Sequence, residues 1–312
     1  MKKSTMHTTA AIIGALHGVN RYIDSTIEAN ATKLSGKIYH WKQGDVFYKV
    51  SGEGSPLLLI HDLNVFSSEY EWKSITAALS ENHTVYAIDL PGCGRSDKPA
   101  ITYTSYFYVQ LVADFTKSII KEKTTVVTSG LSASFAVLAN SMHKSLFQRI
   151  IMINPPSLST MKIGPTNRSK VIMCLMNLPI FGKTYYYFST NKNNTEYYLS
   201  EKCFYNPFNL RETETKASYL AAHYGKGSGK YLFASLNGNY LNADLTAAIK
   251  NTDTQLELII GEHEPYAKEI MNGYKELNDT ITVTVIPETK KFPHMEAPDK
   301  IIAQIITEEE TQ

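Results

Sequence analysis

Short runs rich in apolar and β-branched residues recur along this chain, and stretches with apolar residues at helical spacing lie between them. The main runs are at 57–60, 84–88, 125–127, 149–153, 256–260 and 281–286. Such short runs are typical of strands buried on both faces of a parallel sheet, and the stretches between them predict helices. Two further strands are expected at 38–41 and 46–50, around a tight turn. The pattern predicts an α/β fold, with a mostly parallel central sheet flanked by helices.

The alternation stops in the middle of the chain and then resumes, which predicts an insertion between two sheet strands. We expect a helical cap insertion at 157–240 and a core made of 36–156 and 241–312. The insertion is rich in Tyr, Met, Phe and Asn, and its run 185–188 reads Tyr-Tyr-Tyr-Phe. These side chains are expected either to pack within the cap or to line an apolar pocket.

Residues 1–35 form a predicted N-terminal helical extension. Lys2 and Lys3 precede the apolar run 10–16, which is far too short to span a bilayer. We favour a helix that packs on the body or contacts a membrane surface. The alternative is a cleaved secretory signal, although no small-x-small cleavage site follows the run. The predicted location is cytoplasmic, with peripheral membrane association through this helix.

Composition narrows the class of protein and of partner. Apolar residues make up 43% of the chain and charged residues 20%, and 31 Lys and Arg nearly balance 30 Asp and Glu. This is a soluble globular composition without a basic stripe suited to nucleic acid. The three cysteines are widely spaced, so we expect neither disulfides nor a metal site. No cofactor is expected either. A small apolar substrate or ligand is the expected partner.

The segment 125–136 suggests a nucleophile. Its apolar run ends in Gly130-Leu131-Ser132-Ala133-Ser134, and a helical pattern follows at once. Small residues two positions before and after a serine are typical of a strained strand-to-helix turn that exposes the hydroxyl. The sequence therefore predicts Ser132 as a nucleophile. A polar turn without chemistry is the alternative.

Three segments resemble the α/β-hydrolase superfamily, and the resemblance spans roughly residues 37–310. Residues 89–99 read Asp-Leu-Pro-Gly-Cys-Gly-Arg-Ser-Asp-Lys-Pro, similar to a structural loop of that family. His61-Asp62 stands where the family has His-Gly, and 292–298 is similar to the end of its catalytic-histidine loop. The loop formed by residues 89–99 is expected to be held in place by hydrogen bonds of Asp89 and Arg95.

The resemblance implies a chain order of serine, acid and histidine. Ser132 would be the nucleophile and Glu264, after Gly261, the acid that orients the base. Lys291 stands at the usual histidine position, and a free lysine, with a pKa near ~10.4, cannot accept a proton at neutral pH. His294 is the alternative base. Lys291 with a pKa lowered by burial, and the absence of any efficient base, also stay open.

The resemblance also implies an oxyanion hole made by the backbone N–H groups of Ala133 and Leu63. Asp62 replaces the usual glycine beside it, and we expect its carboxylate to point away and cap its own loop. Two functions follow. One is a serine hydrolase acting on a small or medium apolar ester, and the other is a catalytically impaired protein that binds an apolar ligand or a protein partner.

Overall fold

The computed structural model describes residues 2–30, 35–143 and 146–307. Its eight strands are β1 Lys37–Trp41, β2 Gly44–Ser51, β3 Ser55–Ile60, β4 His83–Ile88, β5 Thr124–Ser129, β6 Phe147–Ile153, β7 Gln255–Gly261 and β8 Thr282–Ile286. The helices of the first half are α1 Lys2–Asn30, α2 Lys73–Leu79, α3 Ser105–Phe115 and α4 Ser132–Met142. Those that follow β6 are α5 Leu158–Met161, α6 Asn167–Asn177, α7 Pro179–Ser189, α8 Lys192–Tyr197, α9 Glu212–His223, α10 Lys230–Asn237, α11 Thr246–Lys250, α12 Ala267–Leu277, α13 Pro293–Glu296 and α14 Pro298–Thr307.

All eight strands form one sheet in the order β1-β2-β4-β3-β5-β6-β7-β8. β2 runs antiparallel to both β1 and β4, and β4, β3, β5, β6, β7 and β8 pair in parallel. The predicted α/β architecture with a mostly parallel sheet is confirmed.

The apolar runs become strands because their alternate side chains are buried on opposite faces of the sheet. In β3, Leu57 and Leu59 pack with α2 and α14 on one face, whereas Leu58 and Ile60 belong to the core on the other face. All four side chains are fully buried. The sheet is therefore covered by helices on both sides, and its functional edge is where the parallel strands end.

Helices α5–α11 lie between β6 and β7, which includes the stretch predicted as a cap insertion. Within it Met173, Tyr186 and Tyr187 are buried, while Tyr185 and Phe188 remain exposed. The predicted aromatic cluster is thus divided between packing inside the insertion and its outer surface.

The N-terminal helix α1 packs on the insertion through its second half. Asn20 Nδ2 donates to Thr184 Oγ1 at 3.0 Å, and Asp24 forms a 2.7 Å ion pair with Lys183 and accepts a hydrogen bond from the Tyr187 hydroxyl. Residues 31–34, in the predicted extension, lie outside the described residues. No helix of the described chain is long and apolar enough to cross a bilayer.

Candidate functional site

The strand-to-helix turn after β5 is centred on Gly130, two residues earlier than predicted. Gly130 has a φ of +55°, in the left-handed region that side chains rarely adopt. Ser132 is the first residue of α4. The frame of small residues is therefore Thr128-x-Gly130-x-Ser132, and glycine stands where the turn would present a nucleophile.

The Ser132 hydroxyl points to the backbone at the end of the sheet. Its Oγ lies 2.8 Å from the Ser129 carbonyl oxygen and 3.0 Å from that of Ile60. The side chain is fully buried. This placement differs from the predicted one, because the hydroxyl ties the helix start to β3 and β5 instead of facing a base.

The carboxylate of Asp62 lies against the turn. Its Oδ1 accepts a hydrogen bond from the backbone N–H of Leu131 at 2.9 Å. A Cβ atom added to Gly130 would overlap the same carboxylate. The expectation that Asp62 points away from this position is wrong, because its carboxylate accepts the Leu131 N–H and lies in space that only a glycine at position 130 leaves open.

The predicted oxyanion donors are placed differently. The N–H of Ala133 donates to the Gly130 carbonyl at 3.2 Å, inside the first turn of α4. The N–H that points out of the turn is that of Leu131, and Asp62 occupies it. Leu63 follows Asp62 and is 2% exposed. The N–H that the turn leaves outward is therefore that of Leu131 rather than that of Ala133, and it already binds a carboxylate.

Lys291 is the second partner of this carboxylate, with its Nζ 2.9 Å from Asp62 Oδ2. Burial would lower the pKa of Lys291, but the Asp62 carboxylate and the neighbouring Tyr198 and Cys203 hold the pKa well above its usual value. The backbone N–H of Lys291 donates to the Cys203 carbonyl at 3.0 Å, which ties this loop to the insertion. Lys291 is therefore a protonated, paired cation.

His294 belongs to a separate buried network. It is fully buried, its Nε2 lies 3.1 Å from Glu71 Oε1, and its ring packs on Trp72 with centroids 4.5 Å apart. Glu71 also accepts the backbone N–H of Asp62, at 3.3 and 3.4 Å. The imidazole thus supports the Asp62 loop through Glu71. The hydrogen bond predicted between His294 and Ser132 is not formed.

Glu264 lies beside the charged pair without joining it. Burial raises the pKa of Glu264, while the Lys291 ammonium lowers it and the Asp62 carboxylate raises it further. A backbone hydrogen bond from Tyr266 also lowers the pKa. Lys291 pairs with Asp62 rather than with this predicted acid, and the predicted base His294 is bonded to Glu71 instead.

Tyr198 lies over the ion pair between Asp62 and Lys291. Its hydroxyl accepts hydrogen bonds from Lys291 Nζ at 3.3 Å and from Asn64 Nδ2 at 3.2 Å, and its ring stacks on Phe66 with centroids 5.1 Å apart. The cavity beside these rings, also lined by Glu71, measures about 20 Å³. Ligand pockets measure roughly 300–1,000 Å³, so this space accommodates about one water molecule.

The loop after β4 is pinned as predicted. Asp89 accepts hydrogen bonds from the backbone N–H groups of Glu69 at 2.6 Å and Arg95 at 2.7 Å. The Arg95 guanidinium also donates to Glu69 at 3.1 Å. This loop therefore serves structure.

The described residues contain no group of three His, Cys, Asp and Glu side chains that could hold a metal ion. All three cysteines are free, with Cys93 and Cys203 buried and Cys174 exposed on α6.

Sequence reasoning missed Gly130, Tyr198 and Asn154. Asn154 donates to the carbonyls of Lys290 and Lys291 and accepts the N–H of Gly261, so it fixes the lysine loop to β7. Gly130 was detectable, because Thr128 and Ser132 are also small residues two positions away on either side. Tyr198 carries no local signal, since only the folding of the insertion brings it to the site.

Solved structures with similar folds cover most of the chain. A serine hydrolase involved in carbazole degradation (the CarC enzyme) superposes with a TM-score of 0.73 at 15% identity, over 89% of this chain and 99% of that one. The epoxide hydrolase CorEH superposes with a TM-score of 0.68 at 18% identity, over 88% and 97%. At these identities the likeness concerns the fold.

Curated relatives match over shorter stretches. An uncharacterized protein of Mycobacterium tuberculosis (strain ATCC 25618 / H37Rv) is 28% identical over 133 residues, 43% of this chain and 36% of that protein. The 2-hydroxy-6-oxo-6-(2'-aminophenyl)hexa-2,4-dienoic acid hydrolase of Metapseudomonas resinovorans is 26% identical over 113 residues, 36% of this chain and 39% of that protein. The matches thus span well under half the length of these relatives.

Residues 57–304, which include both the sheet from β3 onward and the insertion, match the Alpha/beta hydrolase family, and the chain belongs to that family.

Proposed function

We propose that this protein is a non-catalytic member of the alpha/beta hydrolase family that binds an apolar ligand or a protein partner. One observation carries the proposal: the Asp62 carboxylate occupies both the space beside Gly130 and the outward N–H of Leu131. A reacting carbonyl needs that space for its oxygen and a nucleophile next to it. A fixed negative charge there opposes the charge that develops during acyl transfer.

The groups around the carboxylate support the same conclusion. Lys291 keeps its proton because its pKa is raised, so it is unsuited to activate a hydroxyl. The Nε2 atom of His294 is hydrogen-bonded to Glu71, and the hydroxyl of Ser132 is hydrogen-bonded to backbone carbonyls. Nucleophilic catalysis requires the nucleophile and base to be within hydrogen-bond reach of each other. Here each has a different partner.

The alternative is a serine hydrolase acting on a small or medium apolar ester through Ser132. It is supported by relatives that are named as hydrolases, among them the dienoic acid hydrolase of Metapseudomonas resinovorans. It requires Asp62 and Tyr198 to leave the site and the Ser132 side chain to change its partners. The geometry favours the binding function.

A fluorophosphonate probe followed by peptide mapping tests the proposal. The wild-type protein is expected to remain unlabelled between about pH 6 and pH 9, because no hydroxyl is activated in the site. Mapping matters because Ser129 and Ser132 lie in the same segment, and the Ser129 hydroxyl is buried without a hydrogen-bond partner.

Ser132→Ala is the matched control variant. Labelling that appears in the wild type and disappears in Ser132→Ala would overturn the proposal and establish the hydrolase. Labelling that survives in that variant, but maps to a surface serine, leaves the site without an activated hydroxyl and agrees with the proposal.

A further inference from the structure

The exposed large apolar side chains of the described residues are concentrated on α1 and on the insertion. The core contributes a few scattered positions, such as Tyr106 and Met142. On α1 and the insertion they are Ile12, Ile13, Val19, Tyr22, Ile163, Val171, Leu175, Leu178, Phe181, Tyr185, Phe188, Tyr197, Tyr205 and Phe208. Single exposed apolar residues need no explanation, but a concentration of them marks an interaction surface.

Helices α6 and α7 each present an apolar strip with helical spacing. Val171, Leu175 and Leu178 follow one another at i, i+4 and i+7, and Phe181, Tyr185 and Phe188 repeat that spacing. Such spacing places Val171 and Leu175 on one face of α6, which Leu178 directly follows, and places the second set on one face of α7. An open groove of about 400 Å³, lined by Leu175, Phe181 and Tyr185 among others, joins the strips. We call these six side chains the outer face.

Helix α1 lies next to the outer face. On α7, the three aromatic residues of the outer face each follow a residue that contacts α1: Phe181 comes after Ile180, Tyr185 after Thr184 and Phe188 after Tyr187. One residue is a rotation of about 100° around a helix, so the strip begins where the α1 contact ends.

The first half of α1 extends past this contact. Among the α1 side chains whose burial the structure describes, Asn20 is the first buried one, and Ile12 and Ile13 are 55% and 46% exposed. Ile13 is seven residues before Asn20, so it lies on the same face of α1, yet about half of its side chain is exposed.

In the segments that carry these apolar side chains, residues 157–195 and 1–23, all charged side chains are positive. Residues 157–195 contain five Lys and Arg residues and no Asp or Glu, in a chain whose total charge is only +1. Residues 1–23 contain three basic residues and no acidic one. Lys162, Arg168 and Lys170 are exposed, and Arg168 lines the groove of the outer face.

We propose that the outer face and the first half of α1 dock on a lipid bilayer that carries anionic lipids. Aromatic residues suit the boundary between headgroups and acyl chains, and basic residues beside an apolar face are attracted to anionic headgroups. The inference goes beyond the proposed function and stands on different residues, since the contacts of Asp62, Gly130 and Lys291 described above involve none of the six side chains of the outer face. It holds whether or not the buried site is catalytic.

The native Cys174 provides a reporter, because it is the exposed cysteine of the three and lies on α6 between Val171 and Leu178. The full-length protein is labelled there with an environment-sensitive fluorophore and mixed with vesicles of phosphatidylcholine alone or with phosphatidylserine. We expect a blue-shifted emission and co-sedimentation with the phosphatidylserine vesicles, both weakened as salt is raised to about 0.5 M.

Two variants separate the apolar and the electrostatic contributions. Phe181→Ser with Phe188→Ser should lower the vesicle-bound fraction about tenfold, because two aromatic side chains no longer insert. Lys162→Glu with Lys170→Glu should abolish the preference for phosphatidylserine. The matched control is Tyr106→Ser with Met142→Ser. It removes two exposed side chains that lie outside α1 and the insertion, 55% and 53% exposed, and should bind as the wild type does.

Absence of binding to both vesicle types, or equal loss in the control variant, would overturn the proposal. So would a concentration-dependent dimer, measured by light scattering, that is broken by the Phe181 and Phe188 substitutions while vesicles remain unbound. Thermal unfolding of every variant shows that the fold is retained. Fluorophosphonate labelling reports on the buried site separately.

Discussion

Asp62 and Gly130 share one space: the carboxylate of the first lies where the second would carry a side chain. The relationship is reciprocal. Glycine at 130 allows both the left-handed φ of +55° and the approach of the carboxylate, and the carboxylate satisfies the N–H of Leu131 that the turn leaves outward. A side chain at 130 and a carboxylate at 62 therefore exclude each other.

Gly130→Ala is expected to destabilise the protein by about 1–3 kcal/mol, through the left-handed backbone and the displaced carboxylate. Urea unfolding measures the change. Asp62→Gly in the same chain should recover part of the loss, because the space opens.

Gly273→Ala is the control for that substitution. Gly273 lies inside α12, where a Cβ would meet Leu158 at an ordinary 3.5 Å. Alanine is preferred there by up to about 1 kcal/mol, so this variant should be neutral or stabilised. An equally mild effect at Gly130 would contradict the mutual exclusion.

A double-mutant cycle with Asp62→Asn and Lys291→Met measures the buried ion pair. The expected coupling energy is about 1–3 kcal/mol, since Asp62 is 4% exposed and Lys291 29% exposed at their side chains. The Lys42–Asp114 pair, 56% and 37% exposed, is the comparison and should couple by less than about 1 kcal/mol. Equal couplings would mean that the site does not depend on the pair.

The fold was predictable from the sequence because its signals are local. Runs such as 57–60 need only their own apolar residues to indicate a strand buried on both faces. The turn at Gly130 was ambiguous, since small residues satisfy the spacing around both Gly130 and Ser132. The partners of Asp62 could not be predicted, because Leu131 and Lys291 are brought to it by the order of strands in the sheet.

The contribution of Lys291 to stability should not change between about pH 7 and pH 9.5. A lysine whose folded pKa is raised stabilises the protein fully below its unfolded value near ~10.4, and loses that contribution as the pH rises through the folded value. The measurement is the difference in unfolding free energy between the wild type and Lys291→Met across this range. A wild-type stability that rises relative to that of Lys291→Met between pH 8 and pH 9 would instead indicate a lowered pKa, as a lysine base requires.

Glu264→Gln is expected to stabilise the protein at pH 7. Burial raises the pKa of Glu264, so ionising the carboxyl opposes folding at every pH above the folded value. Glutamine keeps an oxygen for the Tyr266 N–H and removes the charge. The gain in melting temperature should shrink as the pH falls towards 4. A loss of stability at pH 7 would mean that Glu264 stabilises Lys291 more than its burial costs.

Creating a nucleophile at position 130 requires more than one substitution. Asp62 occupies the space beside it, Lys291 cannot act as a base, and Tyr198 covers the Asp62–Lys291 pair. Gly130→Ser alone should gain no fluorophosphonate labelling, since Asp62 occupies the place of the new side chain. Combining it with Asp62→Gly and Lys291→His frees the Leu131 N–H and supplies an imidazole at the position that Glu264 can orient.

Tyr198→Ala then opens the cavity, and only this fourfold variant is expected to be labelled, at position 130. The same variant with alanine at position 130 is its control and should remain unlabelled. Labelling of the Gly130→Ser single variant would mean that Asp62 yields the site readily. A folded fourfold variant that stays unlabelled would place the loss of activity elsewhere in the insertion.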